Sequence, residues 1–186
     1  LEEHPELVRP SDPYALAYEQ LGTYVARLQA SGRAEPEIDP LCAAATLMSM
    51  EDYTVLAFTD PALFHRLLEK MARRIQPRTA EVSRLFPGRL WRIYGPEYAS
   101  EPYLPPRLFN EYVVRYVAPM IRDIHAHGGY ARVHCHGRVK NILELIAGMD
   151  ADALDPIEPP PQGDVALREV RQRHGRIVNV TARPGL

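Results

Sequence analysis

The spacing of apolar residues changes repeatedly in the second half of the chain, and each change marks an element. Leu90-Trp91-Arg92-Ile93-Tyr94 is a short aromatic and branched run stopped by Gly95-Pro96, which predicts a strand. From Pro105 to His127 the pattern becomes helical: Phe109, Val113, Val117, Met120 and Ile124 recur on one face, and Gly128-Gly129 ends the run. Pro119 lies inside this helix and should bend it or remove a hydrogen bond. Tyr130 to His134 is the next predicted strand. Val139 to Met149 is a second helix, with Val139, Ile142, Leu143, Ile146 and Met149 on one side. Ala153 to Ile157 is a weaker strand that breaks into Glu158-Pro159-Pro160-Pro161. Asp164 is placed to cap a third helix, with Val165, Leu167 and Val170 inward and Gly175 as its stop, and Arg176 to Val180 closes with a strand.

Strands starting near residues 130, 152 and 176 leave room for one helix in each gap. A helical crossover returns the chain in the same direction, so this β-α-β-α-β rhythm predicts an α/β fold with a parallel sheet. The first half reads as mainly helical. Tyr14 to Leu28 carries Leu16, Leu21, Val25 and Leu28; Met50 to Phe58 follows Ser49 as a cap; Asp60-Pro61 opens a helix bearing Phe64, Leu67, Leu68, Met71 and Ile75. We expect one domain over residues 1–186, with a helical part at 1–88 and β/α repeats at 89–186.

Bulk properties narrow the function classes. Hydrophobic residues make up 46% and charged residues 25%, so a packed core is within reach of the 186 residues. A formal net charge of -2, with Lys and Arg scattered, argues against nucleic-acid binding. No apolar run is long enough to span a membrane. Two cysteines, Cys42 and Cys135, make no disulfide framework, which suits a reducing, cytoplasmic setting. The chain starts at Leu1 without an initiator Met, and we read it as a piece of a longer chain or as one with segments missing.

Polar residues gather where strands end, the place in parallel α/β folds where chemistry sits. Tyr94, Glu97 and Tyr98 follow the first strand, His134-Cys135-His136 the second, and Asp155 and Glu158 the third. His134 and His136 are two apart, so an extended backbone points both to one side and Cys135 to the other. With Glu97 they would supply two nitrogens and an oxygen, the three-ligand pattern of catalytic zinc. Alternatively Glu97 pairs with Arg92 or Arg107. Asp155 and Glu158 read either as catalytic acid-base groups or as turn formers around Pro156. Tyr98 reads as a hydrogen-bond donor to a bound cofactor or substrate, or as packing. His125 and His127 suit the end of a helix dipole. No phosphate-binding glycine fingerprint is present.

The run Val133-His134-Cys135-His136-Gly137, followed by Asn141-Ile142-Leu143 and Ala151-Asp152-Ala153-Leu154, resembles the uroporphyrinogen decarboxylase superfamily, as does the helix before it. The resemblance covers roughly residues 89 to 180. It implies a TIM-barrel (β/α)8 fold, incomplete in this chain, with an extra helical amino-terminal part. Cobalamin-linked methyltransferases of that superfamily bind zinc through a strand-end His-x-Cys-Gly pattern and pass a methyl group between a corrinoid and a thiol. His134 then takes the place of the family histidine and His136 that of the cysteine, which makes the site less soft. The late family cysteine has no counterpart, and the arginine-rich amino-terminal motif of the decarboxylase proper is not seen.

Three functions follow as expectations. The first is a zinc-dependent methyltransferase acting on a small molecule with a corrinoid or corrinoid protein as partner. The second is a metal-independent decarboxylase or lyase using Asp155, Glu158 and His134. The third is a binding module of the same fold that has lost its reaction. A partial barrel would also expose sheet edges, which predicts a homo-oligomer or a partner supplying strands.

Overall fold

The computed structural model describes residues 39–174. Three helices come first: α1 (Pro40–Ala45), α2 (Met50–Thr59) and α3 (Pro61–Leu85). Each has a side-chain cap. Asp39 accepts from the Cys42 amide, Ser49 from Asp52 at 3.1 Å and Asp60 from Leu63 at 2.9 Å. These bonds satisfy amides that the first helical turn leaves without partners, and a lost cap costs about 1 kcal/mol. Pro40 and Pro61 occupy first-turn positions, where a missing N–H costs nothing.

The sheet is small and wholly parallel, in the order β1 (Leu90–Tyr94), β2 (Tyr130–His134), β3 (Ala153–Asp155). Between β1 and β2 run α4 (Pro106–Phe109), a π turn at Asn110–Val114 and α5 (Arg115–Ala126). The helix expected from Pro105 to His127 is thus interrupted. Pro119 has no N–H to give the carbonyl one turn earlier, and the helix widens to π just upstream, a known way of absorbing such a gap. Between β2 and β3 a 3-10 turn (Lys140–Ile142) precedes the short α6 (Leu143–Gly148), and α7 (Leu167–Arg173) follows β3.

Two further expectations are corrected. β3 stops at Asp155 instead of reaching Ile157, because Pro156 has no amide to continue the ladder. Asp164 does not cap α7, which starts from extended Ala166; its carboxylate accepts from the Lys140 amide at 3.0 Å and ties the last loop to the start of the 3-10 turn. The helix predicted at Tyr14–Leu28, the stop at Gly175 and the strand predicted at Arg176–Val180 lie outside the described residues. Among the described residues the sheet has three strands, so a closed eight-stranded barrel is not present there.

Alternation along the strands divides the sheet. Ile93, Ala131, Val133 and Leu154 are buried and meet Val117, Met120, Ile121 and Ile124 of α5, which packs on β2 and on α3. Phe64 of α3 sits between Tyr53 and Tyr112, with ring centroids at 5.4 and 4.6 Å and edge-on geometry. Tyr112 donates its hydroxyl to the Ala57 carbonyl at 2.8 Å, so its buried oxygen is not orphaned. The other sheet face carries Leu90, Arg92, Tyr94, Tyr130, Arg132, His134 and Asp155. No helix among the described residues is long and apolar enough to cross a membrane.

Candidate functional site

The carboxyl ends of the three strands each deliver two polar side chains to one rim. Tyr94, His134 and Asp155 are register partners in the last row of the sheet, and Glu97, His136 and Glu158 follow one turn later. A parallel sheet makes this convergence automatic, because every strand ends on the same side.

His134 and His136 stand together, with ring centroids 4.6 Å apart and planes at 86°. Each ring is held by a carboxylate through Nδ1. His134 Nδ1 is 2.9 Å from Asp155 Oδ2, and His136 Nδ1 is 3.3 Å from both oxygens of Glu158. An ionised carboxylate only accepts, so Nδ1 carries the proton in each pair and Nε2 is left for other work. Asp155 is 4% exposed, and its second oxygen lies 3.2 Å from Arg132 Nε. That approach is an ion pair without the alignment of a hydrogen bond, since both atoms are otherwise unpartnered. Arg132, Asp155 and His134 therefore form one chain of polar contacts reaching from within the sheet to its rim. His134 has 12% of its side chain exposed and His136 has 54%, so the second ring is the one presented outward.

The loops that carry this pair are tied down by backbone. Gly137 donates its amide to Glu158 Oε2 at 3.0 Å, and the Cys135 amide donates to the Asp155 carbonyl at 2.8 Å. Ser100 donates its hydroxyl to the carbonyls of Glu97, at 2.9 Å, and His136, at 3.1 Å, joining the turn after β1 to the loop after β2. Gly163 lies against Glu158 so closely that a Cβ there would come within 2.8 Å of the Glu158 Cβ.

Glu97 is turned back on its own 3-10 turn, where Oε2 accepts from the Gly95 amide at 2.9 Å. Neither Arg92 nor Arg107 is its partner. Tyr98 is half-buried and packs against the core, while its carbonyl accepts from the Tyr53 hydroxyl at 3.2 Å. The neighbouring Cys42, then burial, hold the Tyr98 phenol above its ordinary range. Cys135 is fully buried on the core side, and burial, reinforced by Glu97 and Asp39, pushes its thiol well above the ordinary value. It is therefore an unreactive thiol at neutral pH.

Zinc asks for three protein ligands in a catalytic site. Among the described residues no group of three or more His, Cys, Asp and Glu side chains is placed to hold a metal ion. His134 and His136 offer two nitrogens, and Glu97 is engaged at Gly95, so these residues do not complete a zinc site by themselves.

One acidic residue was not singled out from the sequence. Asp39 is fully buried where the chain meets the end of β1: its amide donates to the Tyr94 carbonyl at 3.0 Å and one carboxylate oxygen caps α1. Burial pushes its carboxyl up to about 8; the Cys42 amide works against that and Glu97 adds to it. The Asp39-Pro40 pair is the same cap-and-proline signal as Asp60-Pro61 and was legible by the same rule.

Consecutive parallel β/α units with carboxylate-held imidazoles at the carboxyl rim are an arrangement compatible with an enzyme or binding domain. The match to known families agrees with this: the family described as uroporphyrinogen decarboxylase (URO-D) matches residues 39–160, more than half of the chain. The chain belongs to that family, and the membership supports an enzyme or binding role at the level of the superfamily. No curated protein and no solved structure matches the chain.

Proposed function

We propose that the chain is a decarboxylase or related lyase that transfers protons to and from a small carboxylic acid at the His134–His136 pair. The observation that carries this reading is the contact of two imidazoles, each fixed at Nδ1 by its own carboxylate. Asp155 and Glu158 set the tautomer and compensate the charge each ring gains with a proton. When a carboxylate leaves as carbon dioxide, its bonding electron pair remains on the substrate carbon. The protonated Nε2 of His134 gives that carbon its proton, and the ring regains one from water by way of the more exposed His136. Arg132, 3.2 Å from its second oxygen, helps hold Asp155 in place. Both roles of Asp155 and Glu158 are thus acid-base support, with Glu97 shaping the first loop rather than meeting substrate.

The test is turnover of candidate carboxylic acids by the wild-type chain, His134→Gln and His136→Gln, each before and after treatment with a chelator. Loss of activity in His134→Gln by at least a hundredfold, with wild-type activity surviving chelation, supports the proposal. Full activity of His134→Gln refutes it.

A second reading is a zinc-dependent methyltransferase working with a corrinoid and a small thiol. It draws support from the carboxylates behind Nδ1, since an outer carboxylate is the usual partner of a metal-bound histidine. His134 and His136 would hold the ion through Nε2, with a third donor from outside the described residues. Metal analysis of the wild type against the double variant His134→Ala, His136→Ala decides it: equal zinc in both removes the reading.

A further inference from the structure

We propose that Ser100 is a positioning residue for the reaction: it locks the His136–Gly137 peptide, and through that peptide the Glu158 carboxylate that orients the His136 ring. This rests on the acid-base reading of the rim and adds what keeps the outward ring of the pair in place.

Ser100 ends the 3-10 turn Pro96–Ala99 after β1 and is 2% exposed. Its hydroxyl has one proton and two carbonyls in reach, Glu97 at 2.9 Å and His136 at 3.1 Å. The two carbonyls do not need it equally. The Glu97 oxygen also accepts from the Ser100 amide at 3.1 Å. The His136 oxygen has, among the described residues, one other donor, the Cys135 thiol at 3.9 Å, and a thiol donates weakly. The hydroxyl proton therefore matters most at His136.

The other side of the same peptide is held from the loop after β3. The Gly137 amide donates to Glu158 Oε2 at 3.0 Å, and that oxygen also lies 3.3 Å from His136 Nδ1. Carbonyl and amide of one peptide plane are thus pinned by two loops, Ser100 after β1 and Glu158 after β3. The plane pivots on ψ of His136 and φ of Gly137. Gly137 sits at φ +89°, a region glycine enters freely, so sterics on that side leave the plane wide latitude. A Cβ on Gly137 would come within 3.5 Å of Ser100 Oγ, which shows how closely the hydroxyl covers the plane. The two hydrogen bonds set its orientation. Without the hydroxyl the plane turns, the amide leaves Oε2, and Glu158 holds the ring with one donor fewer. His136 then loses its fixed tautomer.

The loops after β1 and β2 are joined a second time. Glu101 pairs with Arg138 in an isolated antiparallel bridge, and Asn141 donates its side-chain amide to Glu101 Oε2 at 2.8 Å. Neither contact is made by the His136–Gly137 peptide. Asn141→Ala therefore separates general loosening of the loops from loss of the Ser100 bond.

Nitrogen spectra of the imidazoles in the full chain, and kinetics with the carboxylic acid that the wild type turns over, test this. Wild type is compared with Ser100→Ala, Ser100→Thr, Asn141→Ala, Glu158→Gln and the double variant Ser100→Ala, Glu158→Gln, with thermal melts confirming that each is folded. We expect Ser100→Ala to lower kcat by about tenfold or more while KM changes by less than about twofold. In its spectra the neutral His136 ring should sample both tautomers while His134 stays as in wild type. Ser100→Thr keeps the hydroxyl and should bring kcat back to within about threefold of wild type. Asn141→Ala should stay within about twofold. The double variant should be slower than Glu158→Gln by no more than about twofold, because both changes act on one linkage. Wild-type kcat with a single His136 tautomer in Ser100→Ala overturns the proposal. So do equal losses in Ser100→Ala and Asn141→Ala, a folded Ser100→Thr no faster than Ser100→Ala, and losses that multiply in the double variant. If the wild type turns over no acid, yet His136 loses its tautomer in Ser100→Ala and keeps it in Ser100→Thr and Asn141→Ala, the positioning stands and the acid-base reading fails.

Discussion

His134 and Asp155 are register partners on neighbouring parallel strands, and their side chains close to 2.9 Å between Nδ1 and Oδ2. The contact is set by the ladder itself, so the imidazole reaches the rim already oriented. Asp155→Asn would preserve the shape and let an amide meet Nδ1. Its NH2 can also donate, which permits the other tautomer and leaves the ring without a compensating charge. We expect turnover to fall by at least a hundredfold with little change in unfolding temperature, read from steady-state kinetics and a thermal melt on the same preparation. A variant that melts normally and turns over normally would count against any role for Asp155 beyond structure.

Gly163 offers a test of Glu158 that leaves its carboxylate in place. A Cβ at 163 would press on the Glu158 backbone and on its Cβ. Gly163→Ala should displace Glu158 from Gly137 and His136, lowering activity about tenfold or more while destabilising by about 1–3 kcal/mol. Proton-detected spectra of the imidazoles should show the His136 signals moving further than those of His125.

Asp39 should make stability depend on pH. Its folded carboxyl is raised from 3.8 to about 8 by burial, so the folded state holds a proton that the unfolded chain releases. The stabilisation is complete below about pH 4, and is lost as pH rises through 8. Asp39→Asn keeps an oxygen for the Cys42 amide and has no charge to bury. It should flatten that slope and gain on the order of 3–5 kcal/mol relative to wild type at pH 8. Urea titrations at pH 5 and pH 8 measure both. Equal slopes in the two proteins would show that Asp39 is not the group responsible.

How much of this was legible beforehand follows from which forces act locally. The strand at Leu90–Tyr94, the strand at Tyr130–His134 and the caps at Ser49 and Asp60 are fixed by neighbours in sequence, and all appear where the pattern placed them. Parallel pairing was legible from the rhythm of strands and helices. The partners of the rim residues were not. Glu97 offered a ligand, yet the nearest donor is the amide two residues back, and Asp164 offered a helix cap, yet it serves Lys140 across the loop. Such choices depend on where two loops meet in space. Asp39 was legible as a cap beside a proline, but its complete burial was not, and only that burial distinguishes it from Asp60.

The far end of the sheet has its own histidine. His125 Nε2 lies 2.8 Å from Asp152 Oδ2, which also accepts from the Ala131 amide at 2.7 Å. A helix-end role was expected for His125; it is tied through Asp152 to the start of β2. His125→Ala should cost about 1–2 kcal/mol of stability and leave turnover unchanged, because groups that serve folding and groups that serve chemistry sit on opposite rims of such a sheet. A chemical melt and an initial-rate assay suffice to check it. A rate loss without a stability loss would place His125 in the reaction instead.

β2 contributes Ala131 and Val133 to the hydrophobic interior and Arg132 and His134 to the polar face, in strict alternation over five residues. The strand is therefore a mechanical frame as much as a source of side chains. Adding or deleting one residue inside it would exchange the two sets, sending a guanidinium into oil and a valine to the polar face. Variation in this stretch can change side chains one at a time, but its length is locked.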